Sequence, residues 1–235
     1  MIDIHSHFLP GIDDGADSEE CAIQMLEDLK QQGVNTVVST SHYYAHNGSI
    51  DKFLQDRENS YSKLMHRLDG SREMYPDIIL GAEVALTPEL SKNEDLGKLC
   101  IGDSNAILIE LPYNGFYEWI PYAVYDIISK RNLVPILAHF ERFCVNKKEF
   151  EKYKSLLSLE VKIQVNTESL LDGQPYRIVK QLVKMDSVDA IGSDAHNMTT
   201  RKSTFSKGVK RIEKKFGIEY LEKLNDNAKK LIGLT

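Results

Sequence analysis

Apolar residues along this chain follow two alternating patterns. Short β-branched and aliphatic runs cover 2–4, 34–39, 78–81, 106–110, 134–138, 162–165 and 188–191. Runs of this length and character predict strands buried on both faces. Between them apolar positions recur at helical spacing. Ser18 is placed to N-cap a helix with the stripe Ala22, Met25, Leu26 and Leu29, ended by Gly33. A long polar helix is predicted over 51–68, with Phe53, Leu64 and Leu68 as its buried candidates. Further helices are predicted over 121–130 and 176–185. Near the end, Phe205, Val209, Ile212 and Phe216 form one stripe and Leu221, Leu224, Ala228 and Leu231 another. Strand–helix alternation throughout implies a mostly parallel sheet. Seven units favour a closed or nearly closed barrel over an open sheet. The least regular stretch, 86–103, is expected to be a rim loop with a short helix. No linker, repeat or low-complexity tract interrupts 1–235, so we expect one domain.

The polar residues take meaning from that map. His5 and His7 end the first strand, and residues two apart on a strand share a side. Asp13 and Asp14 lie in the loop that follows. His42 follows the second strand and Glu83 the third. Glu110 closes the fourth and His139 the fifth. Asp194 and His196 follow the seventh. All lie at the C-terminal ends of strands, the face where barrel enzymes assemble active sites from βα loops. A single histidine near a strand end is more often a satisfied polar residue than a ligand, and His46 and His66 read that way. Glu110 is different, because a carboxylate closing the run Ala-Ile-Leu-Ile is costly unless paired or metal-bound. Imidazole and carboxylate without thiolate suit Mn, Fe, Zn or Mg. Eight candidate ligands are too many for one ion, and a carboxylate such as Glu83 can bridge two. Two or three such metals polarise a phosphoryl oxygen and activate water near neutral pH. The residues therefore read as a metal-dependent hydrolase.

Arg142 and Arg201 fall in loops on the same face. Guanidinium forks bind phosphate bidentately; taken alone, each reads first as a surface ion pair, and the phosphate role enters only beside a metal cluster. Aromatics crowd these loops: Phe8, Tyr43, Tyr44, Phe116, Tyr117, Trp119, Phe140 and Phe143. Some belong to the core, and others are candidates to wall an aromatic group.

Bulk properties narrow the classes. A chain of 235 residues can bury a sizeable core without disulfides. Its net charge of −6 argues against nonspecific nucleic-acid or anionic-membrane binding as the main task. Cys21, Cys100 and Cys144 share no ligand spacing and are expected to be reduced thiols. No signal peptide or membrane-spanning run is present, so a cytoplasmic location is expected. No cysteine is followed by arginine six positions on, which excludes a cysteine-dependent phosphatase loop. Gly-x-Ser-x-Gly, Walker and Gly-x-Gly-x-x-Gly motifs are also missing.

Taken together, the motifs resemble a known family. Asp3-Ile4-His5-Ser6-His7 with Gly11-Ile12-Asp13-Asp14-Gly15 resembles the opening of the PHP (polymerase and histidinol phosphatase) superfamily. More narrowly, it resembles the bacterial PHP-type tyrosine-protein phosphatases of capsule and exopolysaccharide operons. Ser39-Thr40-Ser41-His42, Gly81-Ala82-Glu83, Ala138-His139-Phe140-Glu141-Arg142-Phe143 and Ser193-Asp194-Ala195-His196-Asn197 continue the match in order, across essentially the whole chain. The resemblance implies a distorted (β/α)7 TIM-like barrel with a trinuclear site, usually manganese. It implies one ion on His5, His7, Glu83 and Asp194, a second on Glu83, Glu110 and His139, and a third on His42 and His196. Arg142 and Arg201 would bind phosphate, and Asp14 would orient the nucleophile or protonate the leaving group. The implied substrate is phosphotyrosine in the tail of a bacterial tyrosine autokinase that regulates polysaccharide export. A small-molecule phosphatase of the same superfamily, such as one acting on histidinol phosphate, is the alternative. Two loops depart from the pattern. Tyr43-Tyr44-Ala45 replaces basic or histidine residues, and Lys202-Ser203 follows Arg201 where relatives often carry Pro-Pro.

Overall fold

In the computed structural model, which describes residues 1–234, the short apolar runs join into curled ladders whose every pairing is parallel. The strands are β1 (Ile2–Ser6), β2 (Thr36–Ser39), β3 (His42–Tyr43), β4 (Asp77–Leu80), β5 (Glu83–Ala85), β6 (Ala106–Glu110), β7 (Val134–Leu137), β8 (Lys162–Asn166) and β9 (Ala190–Gly192). Two of the seven expected strands are each followed, after a two-residue break, by a further short strand. Thr40 and Ser41 separate β2 from β3, and Gly81 and Ala82 separate β4 from β5. The ladders therefore run β1-β2-β4 and β3-β5-β6-β7-β8-β9. The last strand is tied back to the first. Ser6 and Ala195 form a parallel bridge, His7 N donates to Ala195 O (2.9 Å), and Asp194 N donates to His5 O (2.8 Å). Seven strand positions thus enclose one interior, the distorted (β/α)7 arrangement expected.

Helices α1 (Glu19–Gln31), α2 (Ile50–Leu68), α3 (Ile120–Arg131), α4 (Lys147–Tyr153), α5 (Gly173–Lys184), α6 (Phe205–Phe216) and α7 (Ile218–Leu231) cover the sheet. The α1 stripe is as expected: Ala22, Met25, Leu26 and Leu29 are buried and Ser18 Oγ accepts from Cys21 N. Each of its large apolar side chains contributes about 1.5–3 kcal/mol on burial. In α2, Leu64 and Leu68 are buried, but Phe53 is only partly covered, and Ser60 takes a buried place by donating to Pro10 O (2.8 Å). Helix α4 was not legible as periodicity, because only Phe150 and Tyr153 are buried in its two turns. The 86–103 segment is not a peripheral loop. It forms 3-10 turns at Leu90–Lys92 and Glu94–Leu99 and buries Leu90, Leu96 and Leu99 in the core. All three cysteines are free thiols.

Strand alternation divides the core. Val37, Ile107, Ile109, Leu137 and Ile191 pack in the large cluster with the helices. Ile4, Val38, Leu108, Ile136 and Ala190 form a separate cluster within the curl, joined by Ala228 and Leu231 of α7. Glu110 continues the inward face of Ala106 and Leu108, so the pleat of β6 aims its carboxylate at the interior. On β1 the register slips between Asp3 and Ser6. Bulges beside active sites re-aim side chains in this way, and His5 here faces Gly192, where a Cβ would lie 2.5 Å from His5 Cβ.

Candidate metal centre

The breaks and the slip bring eight sequence-distant side chains to one place. His42 and Glu83 do not simply follow strands. They open β3 and β5 and stand in register across that pair. His5 lies within β1, with His7 just beyond its end. His139 and Asp194, each two residues beyond the end of β7 and β9, adopt left-handed backbone conformations, with φ of 32° and 52°.

Around Glu83 Oε2 lie His5 Nε2 at 3.1 Å, His7 Nε2 at 3.2 Å and His42 Nδ1 at 3.2 Å. His5 and His7 Nε2 are 3.1 Å apart, and each is 3.6 Å from Asp194 Oδ1. The other Glu83 oxygen, Oε1, is 2.9 Å from His139 Nε2, which is 3.5 Å from Glu110 Oε1. Asp14 Oδ1 is 3.4 Å from His196 Nε2 and 3.6 Å from His42 Nε2. The donor atoms form three groups, His5–His7–Glu83, His42–Glu83–Glu110, and His7–Asp14–His42–His196. Metal–ligand bonds of about 2.0–2.2 Å put neighbouring ligand atoms roughly 3.0–3.5 Å apart, and these side chains are already at that spacing. His196 Nε2 is buried and has no hydrogen-bond partner. Imidazole, carboxylate and an orphaned ring nitrogen fit hard-to-borderline divalent ions. His46 and His66 are exposed and lie outside these groups.

Further residues fix the ring orientations. Gln164 Oε1 accepts from His5 Nδ1 (3.0 Å) and His139 N (2.8 Å), while its Nε2 donates to Asn166 Oδ1 (2.8 Å). Asn166 Nδ2 donates to Asp194 Oδ2 (2.9 Å). Asp13 Oδ2 pairs with His7 Nδ1 (2.7 Å) and accepts from His42 N (2.8 Å). His196 Nδ1 donates to Asp194 O (2.9 Å). The contacts at Nδ1 of His5, His7 and His196 hold a proton on the nitrogen facing away from the centre, as outer contacts of metal-binding histidines do. Sequence reasoning missed Gln164 and Asn166. Their signal was polarity at alternate positions of β8, between Ile163 and Val165.

The electrostatics show how strongly this cage demands positive charge. Burial lowers the pKa of His7, but hydrogen bonds to Asp13 and Glu83 outweigh it and raise it to about 10. His139 is likewise raised to about 9 against its burial, by Glu110 and Glu83. Burial pushes Asp194 up, yet the charges on His5, Arg142 and His7 hold it below the usual carboxylate range. Glu83 is lowered for similar reasons. His196 moves the other way, to about 3, through burial and the His7 charge. On His7 and His139 a proton thus stands in for a cation, and metal binding would release it.

Both arginines reach the centre. Arg142 Nη1 is 2.6 Å from Asp194 Oδ2. Arg201 Nη2 is 3.3 Å from Asp194 Oδ1, and its Nη1 donates to Asp14 Oδ2 (3.0 Å). Of the aromatics in these loops, Phe8, Tyr43, Phe140 and Phe143 are core. Tyr44 stacks on His42 with centroids 5.1 Å apart. Tyr113, which the sequence did not single out, stacks on His139 at 6.1 Å and remains exposed. No helix among the described residues is long and apolar enough to cross a membrane.

Residues 1–233 match the family model described as capsular polysaccharide synthesis, CpsB/CapC. The chain is 30% identical to the tyrosine-protein phosphatase YwqE of Bacillus subtilis, over 99% of this chain and 91% of that protein. It is 28% identical to the tyrosine-protein phosphatase CpsB of Streptococcus pneumoniae, over 99% and 98%. Among solved structures it is similar, with a TM-score of 0.84 and 27% identity over 100% and 95% of the chains, to one described with YwqE and CpsB as unique metal-dependent tyrosine phosphatases. A TatD-family hydrolase of Entamoeba histolytica shares the fold at 10% identity, with a TM-score of 0.61 over 100% and 98%.

Proposed function

The chain belongs to the CpsB/CapC family of capsular polysaccharide synthesis, and from that premise we propose that it is a metal-dependent protein-tyrosine phosphatase. Its substrate is phosphotyrosine on the tail of a bacterial tyrosine autokinase, in the cytoplasm, and residues 1–235 form one catalytic domain. The observation that carries the reading is the convergence of imidazole and carboxylate atoms 2.9–3.6 Å apart with two guanidinium groups.

His5, His7, Glu83 and Asp194 would hold one ion. Glu83, Glu110 and His139 would hold a second, and His42 with His196 a third, with Asp14 in reach of the last. Manganese is the ion proposed, two or three per chain. Bound there, it would supply Lewis-acid polarisation of the phosphoryl group and lower the pKa of water. Arg142 and Arg201 bind the non-bridging phosphoryl oxygens and neutralise their charge as the ester bond breaks. In doing so they exchange contacts with Asp194 and Asp14 for contacts with phosphate. Asp14, whose Oδ1 faces His196 and His42, would orient the attacking water or protonate the leaving group. The phenolate leaves with little acid assistance, because its conjugate acid has a pKa of about 10.

The experiment is a comparison of kcat/KM on a phosphotyrosyl peptide and on histidinol phosphate, with Mn2+ present. Preference for the peptide supports the reading. Preference for histidinol phosphate would replace it with a small-molecule phosphomonoesterase.

A further inference from the structure

A cleft of about 710 Å³ opens beside the metal centre. His42 and Tyr44 form its inner end. From there it runs between the loop after β1 and the outer face of α2, with Gly11, Asn47, Asn59 and Lys63 along its sides. Its volume falls in the range of specific ligand sites, roughly 300–1,000 Å³. Its length is more telling. The lining on α2 extends from Ser49 to Lys63, about 20 Å at ~1.5 Å per residue. An extended polypeptide at ~3.3 Å per residue would fill that span with about six residues. A small phosphate ester would occupy only the end at His42.

The chemistry of the walls also fits a backbone more than a charged group. Lys52 is paired with Asp56, and Glu19 with Arg67. Across the whole lining, Asp17, Glu19 and Asp56 stand against Lys52 and Lys63, which leaves the cleft near neutral. The side-chain amides of Asn47 and Asn59 are exposed and make no hydrogen bond within the cleft, so each offers a donor and an acceptor to a passing peptide. The floor is held independently, by Ser60 donating to Pro10 O (2.8 Å).

We propose that this cleft between the β1–α1 loop and α2 binds the polypeptide flanking the phosphotyrosine, and that Asn47 and Asn59 determine preference for peptides over small aryl phosphates. The proposal rests on the phosphatase reading above. Its occupant is the extended segment next to the phosphorylated tyrosine, because the cleft is continuous with the centre at His42.

The test uses Asn59→Trp and Asn47→Trp, two exposed positions outside the metal and phosphate contacts, each assayed on a phosphotyrosyl peptide and on p-nitrophenyl phosphate. We expect each variant to lower kcat/KM for the peptide at least tenfold, through KM. Turnover of p-nitrophenyl phosphate should stay within twofold of wild type, which also certifies the fold. Peptide kcat/KM should vary little with salt, as expected for a near-neutral cleft. Unchanged peptide kinetics in both variants would overturn the proposal, as would a parallel loss on both substrates. Wild-type enzyme that cleaves p-nitrophenyl phosphate but no phosphotyrosyl peptide would overturn the phosphatase reading itself, a result separable from failure of the cleft.

Discussion

Gln164 offers the sharpest test of how the centre is held. It is fully buried, and its Oε1 accepts two hydrogen bonds, from His5 Nδ1 and His139 N. Gln164→Leu leaves both donors buried without partners. At about 1–3 kcal/mol for each unsatisfied buried donor, the loss should be roughly 2–6 kcal/mol of stability. The functional loss has a different origin. Without an acceptor at Nδ1, the His5 proton is no longer held on the nitrogen facing away from the centre, and Asn166 loses the partner that aligns it with Asp194. Removing such outer contacts costs about 10–100-fold in metal affinity. Gln164→Glu keeps the acceptor but loses the Nε2 donor to Asn166, so it should fall between wild type and the leucine variant. Calorimetric titration with Mn2+ reads the affinities, and thermal unfolding reports the stability. Equal Mn2+ affinity in wild type and a folded leucine variant would refute the reasoning.

Three further outcomes follow from the same geometry. Arg142→Ala should lower kcat on aryl phosphates about 10²–10³-fold, the usual effect of removing one donor to a developing oxyanion, while elemental analysis finds metal content unchanged; an unchanged rate would remove Arg142 from phosphate binding. Burial raises the Asp3 carboxyl from 3.8 to about 6, against hydrogen bonds from Ser193 and His5. A raised folded-state pKa gives stability present below about 3.8 and lost as pH climbs through 6, worth ~3 kcal/mol. Asp3→Asn in the metal-free protein should therefore gain about that much on wild type between pH 4 and pH 8, read by urea unfolding; a pH-independent difference would contradict the assignment. Gly192→Ala places a Cβ 2.5 Å from His5 Cβ and 2.9 Å from Gln164 Nε2; we expect a loss of about 1–3 kcal/mol from overpacking together with weaker Mn2+ binding, and normal binding would show that His5 yields without cost.

Much of this was readable from residue pattern because the relevant interactions are local. The α1 stripe and its Ser18 cap need only helical spacing, and Glu110 needs only the pleat that carries Ala106 and Leu108 inward. The candidate ligands were legible because βα loops gather on one face whatever their separation in the chain. What escaped depends on tertiary contacts. The breaks in β2/β3 and β4/β5 are set by how the ladders curl, and they place His42 and Glu83 in register rather than in loops. Helix α4 is too short to display a period, and 86–103 is buried by neighbours that its own spacing does not announce. Gln164 and Asn166 carried a faint signal, polarity within a buried strand, whose meaning depends on partners 25 to 159 positions away. Tyr113 sits at the rim, packed on both His139 and Phe143, neighbours that only the fold supplies.

The central claim is that the eight clustered side chains form a metal centre that hydrolyses phosphotyrosine. The measurement closest to it is phosphate release from a phosphotyrosyl peptide by chelator-stripped protein, before and after Mn2+ is restored, with His5→Ala beside wild type. The account predicts no release without metal, recovery on adding Mn2+, and no recovery in the variant. Equal release by stripped protein, or full recovery in His5→Ala, would contradict it.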